Sequence, residues 1–293
     1  MTQLLDGPLL QRLQRTKLIG RSADPRHGVG ERRSRAVGPG IEFADYRDYQ
    51  PGDDFRYLDR HVFARHGRTV VRQFTIEQRL QVTVLLDSSE SMDTGVPNKL
   101  VRGRELAAVV VAVALYGGDQ VDLATCSGDG ITWFPRLSNP RKLHTALAWL
   151  QERSPRGRID LEHVARATTE RISRGGLLVV VSDWMLEGVE PALARWRHLQ
   201  QDVIGVQVVA PNERDPSAMD DEALLLTDRE TGVGVELTLD ADTVQRYRSA
   251  FRSWQAELRA ALTAVEGRWV SVSSADSLHD TVMRAWRQQG VIT

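Results

Sequence analysis

The chain has 293 residues, 41% of them hydrophobic and 26% charged, with a formal net charge of −1. This is the composition of an ordinary globular protein of one or two domains, and it excludes an overall pull toward nucleic acid or a membrane surface. A single cysteine, Cys126, excludes an intrachain disulfide and a cysteine-based zinc site.

The charge is uneven along the chain. Residues 1–80 carry 15 Lys and Arg against 10 Asp and Glu, a net of +5, and the remainder carries −6. Two segments that face each other account for this, with a partner surface as the alternative. The stretch LLDGPLLQRLQRTKLIG reads as an amphipathic helix over residues 3–18 and not as a secretory leader. No apolar run approaches the roughly 20 residues that a spanning helix needs. A cytoplasmic location without membrane insertion is therefore expected.

Residues 22–40 are rich in Gly, Pro and Arg and read as a loop. Arg32, Arg33 and Arg35 there read as a solvated cluster before they read as a phosphate or nucleic-acid contact. In residues 41–80, PGDD marks a turn and TVVRQFTIE alternates like a strand. Arg47, Arg56, Arg60, Arg65, Arg68 and Arg72 lie among Asp45, Asp48, Asp53, Asp54 and Asp59. Such interleaving predicts an Arg–carboxylate network that pins this segment to the main domain. Tyr46, Tyr49, Phe55, Tyr57 and Phe63 are expected to be core anchors.

The pattern then changes. VTVLLD (82–87), VDLATC (121–126), LLVVVSD (177–183) and VIGVQVV (203–209) are short apolar runs of buried-strand type, and ITWF (131–134) reads as a hairpin partner. Helical periods lie between them at 99–116, 141–152, 160–173 and 190–199. This alternation predicts an α/β fold with a doubly wound, mostly parallel sheet covered on both faces. Residues 211–240, with ALLLTDRETGVGVELTLD, predict a β-hairpin insertion tipped by ETG. A helix (241–265), a strand (269–273) and a last helix (276–288) complete the chain. The expected organisation is an N-terminal extension over 1–80 and a main domain over 81–293.

The sharpest chemical signal is Asp87-Ser88-Ser89-Glu90-Ser91, directly after VTVLL. In an open parallel sheet, ligands bind beyond the carboxyl ends of the strands, at the switch point in strand order. Asp87 stands at such an end, and Ser89 and Ser91 come next at alternate positions, so all three can offer hard oxygens to one point. One carboxylate, two hydroxyls and water suit Mg²⁺ better than zinc. Asp183 ends another strand and joins the set if the two strands are neighbours. An Asp or Ser after a strand is also an ordinary helix N-cap signal, and that reading stays open here. No Walker A pattern, no G-x-S-x-G elbow and no H-E-x-x-H spacing is present. The enzyme class that survives is a Mg²⁺-dependent phosphoester hydrolase using Asp87 and Asp183.

D-x-S-x-S after a first buried strand, with a later strand ending in Ser-Asp, resembles the metal-ion-dependent adhesion site of von Willebrand factor type A domains. The block GPGIEFADYRDYQPGDDFRYLDRHVFARHGRTVVRQFTIEQ resembles the signature of the bacterial Domain of Unknown Function 58 family, and the resemblance covers roughly residues 30–290. It implies a von Willebrand type A sheet and an adhesion-type cation site. It also implies a non-enzymatic adaptor role beside a MoxR-type AAA+ ATPase, in chaperone-like assembly or maturation. The family's Gly-x-Thr-Asp has Gly157-Arg158-Ile159-Asp160 as its counterpart here. Ile159 offers no oxygen, which predicts a weak site, one completed by Asp160, or one where Arg158 takes the place of the metal. A structural scaffold with a decayed site is the remaining alternative.

Overall fold

A computed structural model describes residues 4–20, 33–34, 42–77, 79–218, 223–227, 234–238 and 240–293. In chain order its helices are α1 (Gly7–Leu13), α2 (Arg60–His66), α3 (Lys99–Tyr116), α4 (Leu143–Gln151), α5 (Leu161–Thr169), α6 (Val189–His198), α7 (Pro211–Arg214), α8 (Ala241–Ala264) and α9 (Leu278–Asp280). Its strands are β1 (Arg33–Ser34), β2 (Glu42–Asp48), β3 (Val70–Glu77), β4 (Gln81–Asp87), β5 (Gln120–Ser127), β6 (Gly130–Trp133), β7 (Gly176–Ser182), β8 (Gln201–Val209), β9 (Ala223–Thr227), β10 (Gly234–Thr238) and β11 (Arg268–Ser273).

Contacts divide the chain into two units, Met1–Ala23 with Leu80–Thr293, and Asp24–Arg79. The first holds a six-stranded sheet in the order β11-β8-β7-β4-β5-β6. All neighbours are parallel except the edge strand β6, which runs antiparallel to β5. This is the doubly wound α/β arrangement expected from the alternating apolar runs. Side chains of the central strands alternate between two cores. Val82, Val84 and Leu86 face a layer with α1, α3 and α4. Leu85, Leu178 and Val180 face α5, α6 and α8. From Leu106 to Leu115 helix α3 is apolar on every side and wholly buried, because this part runs through the larger core. No helix among the described residues is long and apolar enough to cross a membrane.

The N-terminal boundary differs from the expected 1–80 extension. Residues of α1 and its flanks belong with the sheet because Leu5, Leu9, Leu13 and Leu18 are buried in the larger core and Ile19 N donates to Val291 O at 2.8 Å. The helix is also shorter than 3–18: Asp6 caps it, accepting from Leu9 N at 2.7 Å. The hairpin expected within 211–240 is present as antiparallel β9 and β10, and its ETG tip lies outside the described residues.

Within the second unit, β2 and β3 form an antiparallel pair with an irregularity between Phe43 and Asp45. Asp59 organises the connection between these two strands. It accepts from Tyr46 Oη (3.0 Å), Arg72 Nε (2.8 Å), His61 N (2.8 Å) and Val62 N (3.2 Å). Hydrogen bonding from Arg72 first, then from the backbone and Tyr46, holds its carboxyl far below the usual carboxylate range against the opposing effect of burial. The pairs Arg47–Asp53, Arg56–Asp54, Arg68–Asp48 and Arg72–Asp59 join residues of this unit to one another. The network thus stiffens the segment itself. The aromatic expectation is corrected too: Tyr46, Phe55 and Phe63 are exposed by 44%, 69% and 55%. The unit's described elements, three strands, one helix of seven residues and a 3₁₀ turn at Phe55–Tyr57, leave these rings uncovered.

Two outcomes are expected. A Cβ on Gly205 would lie 2.8 Å from Trp184 Cζ2 and 3.1 Å from Trp269 Cε3. Gly205→Ala should therefore cost about 1–3 kcal/mol in urea unfolding, the usual penalty for overpacking. A carboxyl whose folded pKa is depressed lends stability above its unfolded pKa of about 3.9 and loses it as pH falls below that value. Hydrogen exchange across residues 45–72 should quicken as pH falls below about 4, after correction for intrinsic rates, and Asp59→Asn should show fast exchange already at neutral pH.

Candidate functional site

The chain steps from β4 to β5 on one side of the sheet and returns to β7 on the other, so the switch point lies between β4 and β7. Leu86 pairs with Val181, which sets Asp87 and then Asp183 at adjacent strand ends. Both are buried, at 2% and 0% exposure. The fold thus brings together two acids that are 96 residues apart in sequence numbering.

Asp87 is held by its neighbours. Oδ2 accepts from Ser182 Oγ at 2.6 Å, and Oδ1 accepts from Ser89 N at 2.8 Å and Ser89 Oγ at 2.7 Å. Ser89 Oγ lies 3.0 Å from Ser91 Oγ. The single proton of Ser89 is spent on Asp87, so Ser91 is the donor in that contact. Burial first, and the nearby charge of Asp183 second, push the Asp87 carboxyl up to about 7, while the bonds from Ser182 and Ser89 work against the rise.

Asp183 is held differently. Its Oδ1 accepts from Met185 N at 3.0 Å, and its Oδ2 accepts from Lys99 Nζ at 2.9 Å. Lys99, the first residue of α3, is 1% exposed and also donates to Glu213 Oε1 at 2.5 Å. Burial alone would lower the Lys99 pKa, but the charges of Asp183 and Glu213 together outweigh it and hold it above the ordinary value. Glu213 in turn accepts from Ala210 N through Oε2 at 2.9 Å. Beside Asp183 the backbone is strained: Trp184 has φ 65°, a region that L-residues seldom enter, and its N–H bonds Ser182 Oγ at 2.9 Å.

Of the five residues expected to hold a cation, Asp87, Ser89, Ser91 and Asp183 meet at this rim. Asp160 is exposed and caps α5, with Oδ1 accepting from Glu162 N at 2.8 Å. Its loop does reach the motif, since Glu90 N donates to Gly157 O at 3.0 Å and Arg156 N donates to Ser88 O at 3.0 Å. Ile159 is buried in the smaller core. Arg158 pairs with Glu187 at 2.9 Å. The buried cation of the site is therefore Lys99 and not Arg158. Lys99 and Glu213 were not legible as site residues, because a lysine opening a helix and a glutamate in a short turn both read as surface.

The donors fit a hard divalent cation on the Asp87 side. Octahedral Mg²⁺ with bonds of about 2.0–2.1 Å places adjacent ligand oxygens about 2.9 Å apart. The separations Asp87 Oδ1 to Ser89 Oγ and Ser89 Oγ to Ser91 Oγ are 2.7 and 3.0 Å. The Lys99 ammonium is shared by Asp183 and Glu213, whereas the bonds to Asp87 come from the neutral donors of Ser89 and Ser182. Asp183 faces Lys99 and would act on such an ion through its charge.

The sheet and its rim define an α/β domain with an oxygen cluster at the switch point. The chain belongs to the family described as Protein of unknown function DUF58, which matches residues 45–261. Uncharacterized proteins of Mycobacterium bovis and of two Mycobacterium tuberculosis strains are 30% identical over 213 residues, 69% of this chain and 65% of theirs. The match thus spans less than two thirds of the length of those relatives. Solved structures with a likeness include the conserved hypothetical protein BatB from Bacteroides thetaiotaomicron (17% identity, TM-score 0.46, covering 72% of this chain and 96% of that one). An aerotolerance-related membrane protein from Bacteroides fragilis has 18% identity and a TM-score of 0.48, over 72% and 98% of the two chains. At such scores the overlap is partial, and the fold assignment rests on the strand order itself.

Ser182→Ala should remove the donor to Asp87 Oδ2 found among the described residues and cost about 1–3 kcal/mol in denaturant unfolding, the range for a buried polar group left unpaired. An unchanged midpoint would contradict this account of the rim.

Proposed function

We propose that this chain is a non-enzymatic protein-interaction module. It docks a partner at the carboxyl edge of its main sheet, through a divalent cation (Mg²⁺ for preference) held by Asp87, Ser89 and Ser91. The partner is a MoxR-type AAA+ ATPase, beside which the chain serves as an adaptor in chaperone-like assembly or maturation. A bound cation would supply an open coordination position for an acidic side chain of the partner.

The observation that carries this reading is the convergence of one carboxylate and two hydroxyls at the switch point of the sheet. Ser182 orients Asp87 from the next strand, and the Asp87 carboxylate orders the Ser89 and Ser91 hydroxyls in turn. Family membership supports the adaptor role and the ATPase partner by analogy alone. The phosphoester-hydrolase alternative calls for more acids than this rim presents in free form. The further carboxylates nearby are engaged: Glu213 is tied to Lys99 and Ala210 N, Glu90 accepts from Gly157 N, and Asp93 accepts from Asn98 Nδ2. Among the described residues, no three His, Cys, Asp or Glu side chains are grouped to hold a metal.

The test is binding of the full chain to the purified MoxR-type ATPase of the same genome, read by biolayer interferometry. Affinity should fall at least about tenfold, a loss of about 1.4 kcal/mol, in Asp87→Ala and on chelation of divalent ions. Binding that survives both changes intact would overturn the cation-mediated reading.

A further inference from the structure

The acid at the end of β7 does not stand open toward the ion-binding side of the rim. Each Asp183 oxygen accepts from a protein donor, one from Met185 N and the other from the Lys99 ammonium. That ammonium is fixed from several directions. It bridges Asp183 and Glu213, whose side chains are 1% and 20% exposed. Lys99 N donates to Thr94 O at 3.0 Å, and Thr94 Oγ1 donates to Ser91 O at 2.7 Å. The lysine is thus tied through one short loop to the serine that completes the oxygen cluster. A buried unit charge so close to an ion site acts through a medium of low effective dielectric, where its influence on another cation is large.

We infer that Lys99 is the built-in counter-ion of this site. By bridging Asp183 and Glu213 and offsetting one of their two charges, it confines divalent-ion coordination to Asp87, Ser89 and Ser91 and keeps the affinity low. The inference rests on the cation-site reading above and deepens it. An ion held by one carboxylate and two hydroxyls stays exchangeable, and so remains available to a partner's acidic side chain. With two carboxylates free, the rim would hold the ion tightly whether or not a partner was present.

The experiment is a titration of the full chain with Mn²⁺, followed by the loss of the free-ion electron paramagnetic resonance signal. Lys99→Met should bind Mn²⁺ at least about tenfold more tightly than the wild type, and Lys99→Arg, which keeps the charge, should not. Should Lys99→Met fail to fold, a charge ladder carries the same test. Asp183→Asn leaves the ammonium unopposed by that acid and should bind Mn²⁺ more weakly than wild type. Lys99→Met/Asp183→Asn, with both charges gone, should return close to the wild-type affinity. Wild-type binding that is not tightened in Lys99→Met, or not restored in the double variant, overturns the counter-ion role and leaves the cation site standing. No saturable binding in any of these proteins overturns the cation site and the inference together.

Discussion

Two carboxylates, Asp87 and Asp183, stand out of water at the ends of adjacent strands, and the rim of the sheet is organised around compensating their charge. Neither solution is sufficient by itself. Lys99 satisfies Asp183, at the cost of taking an ammonium out of solvent. Two hydroxyls and an amide give Asp87 three hydrogen bonds, but they bring no formal charge. The upward shift of the Asp87 carboxyl to about 7 is the trace of this incomplete compensation. A proton on Asp87 completes it in one way, and the hard cation proposed above would complete it in another.

The strained backbone at Trp184 belongs to the same arrangement. Turning the chain sharply after Asp183 lets Ser182 accept from Trp184 N while donating to Asp87. It also drives the indole of Trp184 under β8, against Gly205 and edge-on to Trp269 at 5.4 Å. The smaller core thus buttresses the rim from below. The close approach at residue 205 is one reason the strand run VIGVQVV carries a glycine among branched residues.

Much of the fold was legible from the runs 82–87, 177–183 and 203–209, because strands buried on both faces must be continuously apolar. The two strand-end acids could be named for the same reason: each interrupts such a run at its carboxyl end. What stayed hidden depends on contacts across long separations in sequence. Lys99 looks like a solvated residue at a helix start, and only the placement of Asp183 and Glu213 makes it a buried ion partner. The amphipathic stretch at 4–20 showed an apolar face, but not that the larger core would cover it. The aromatic residues 46, 55 and 63 read as anchors since aromatic residues are usually buried. The described elements of the small unit that carries them leave all three rings exposed.

The most direct measurement of the central claim is a crystal structure of the chain grown with Mn²⁺, with the ion located by its anomalous scattering. The account requires one peak in contact with the oxygens of Asp87, Ser89 and Ser91, while Lys99 still bridges Asp183 and Glu213. A fully occupied lattice with no peak at those oxygens, or a peak between Asp183 and Glu213 with the lysine displaced, would contradict it.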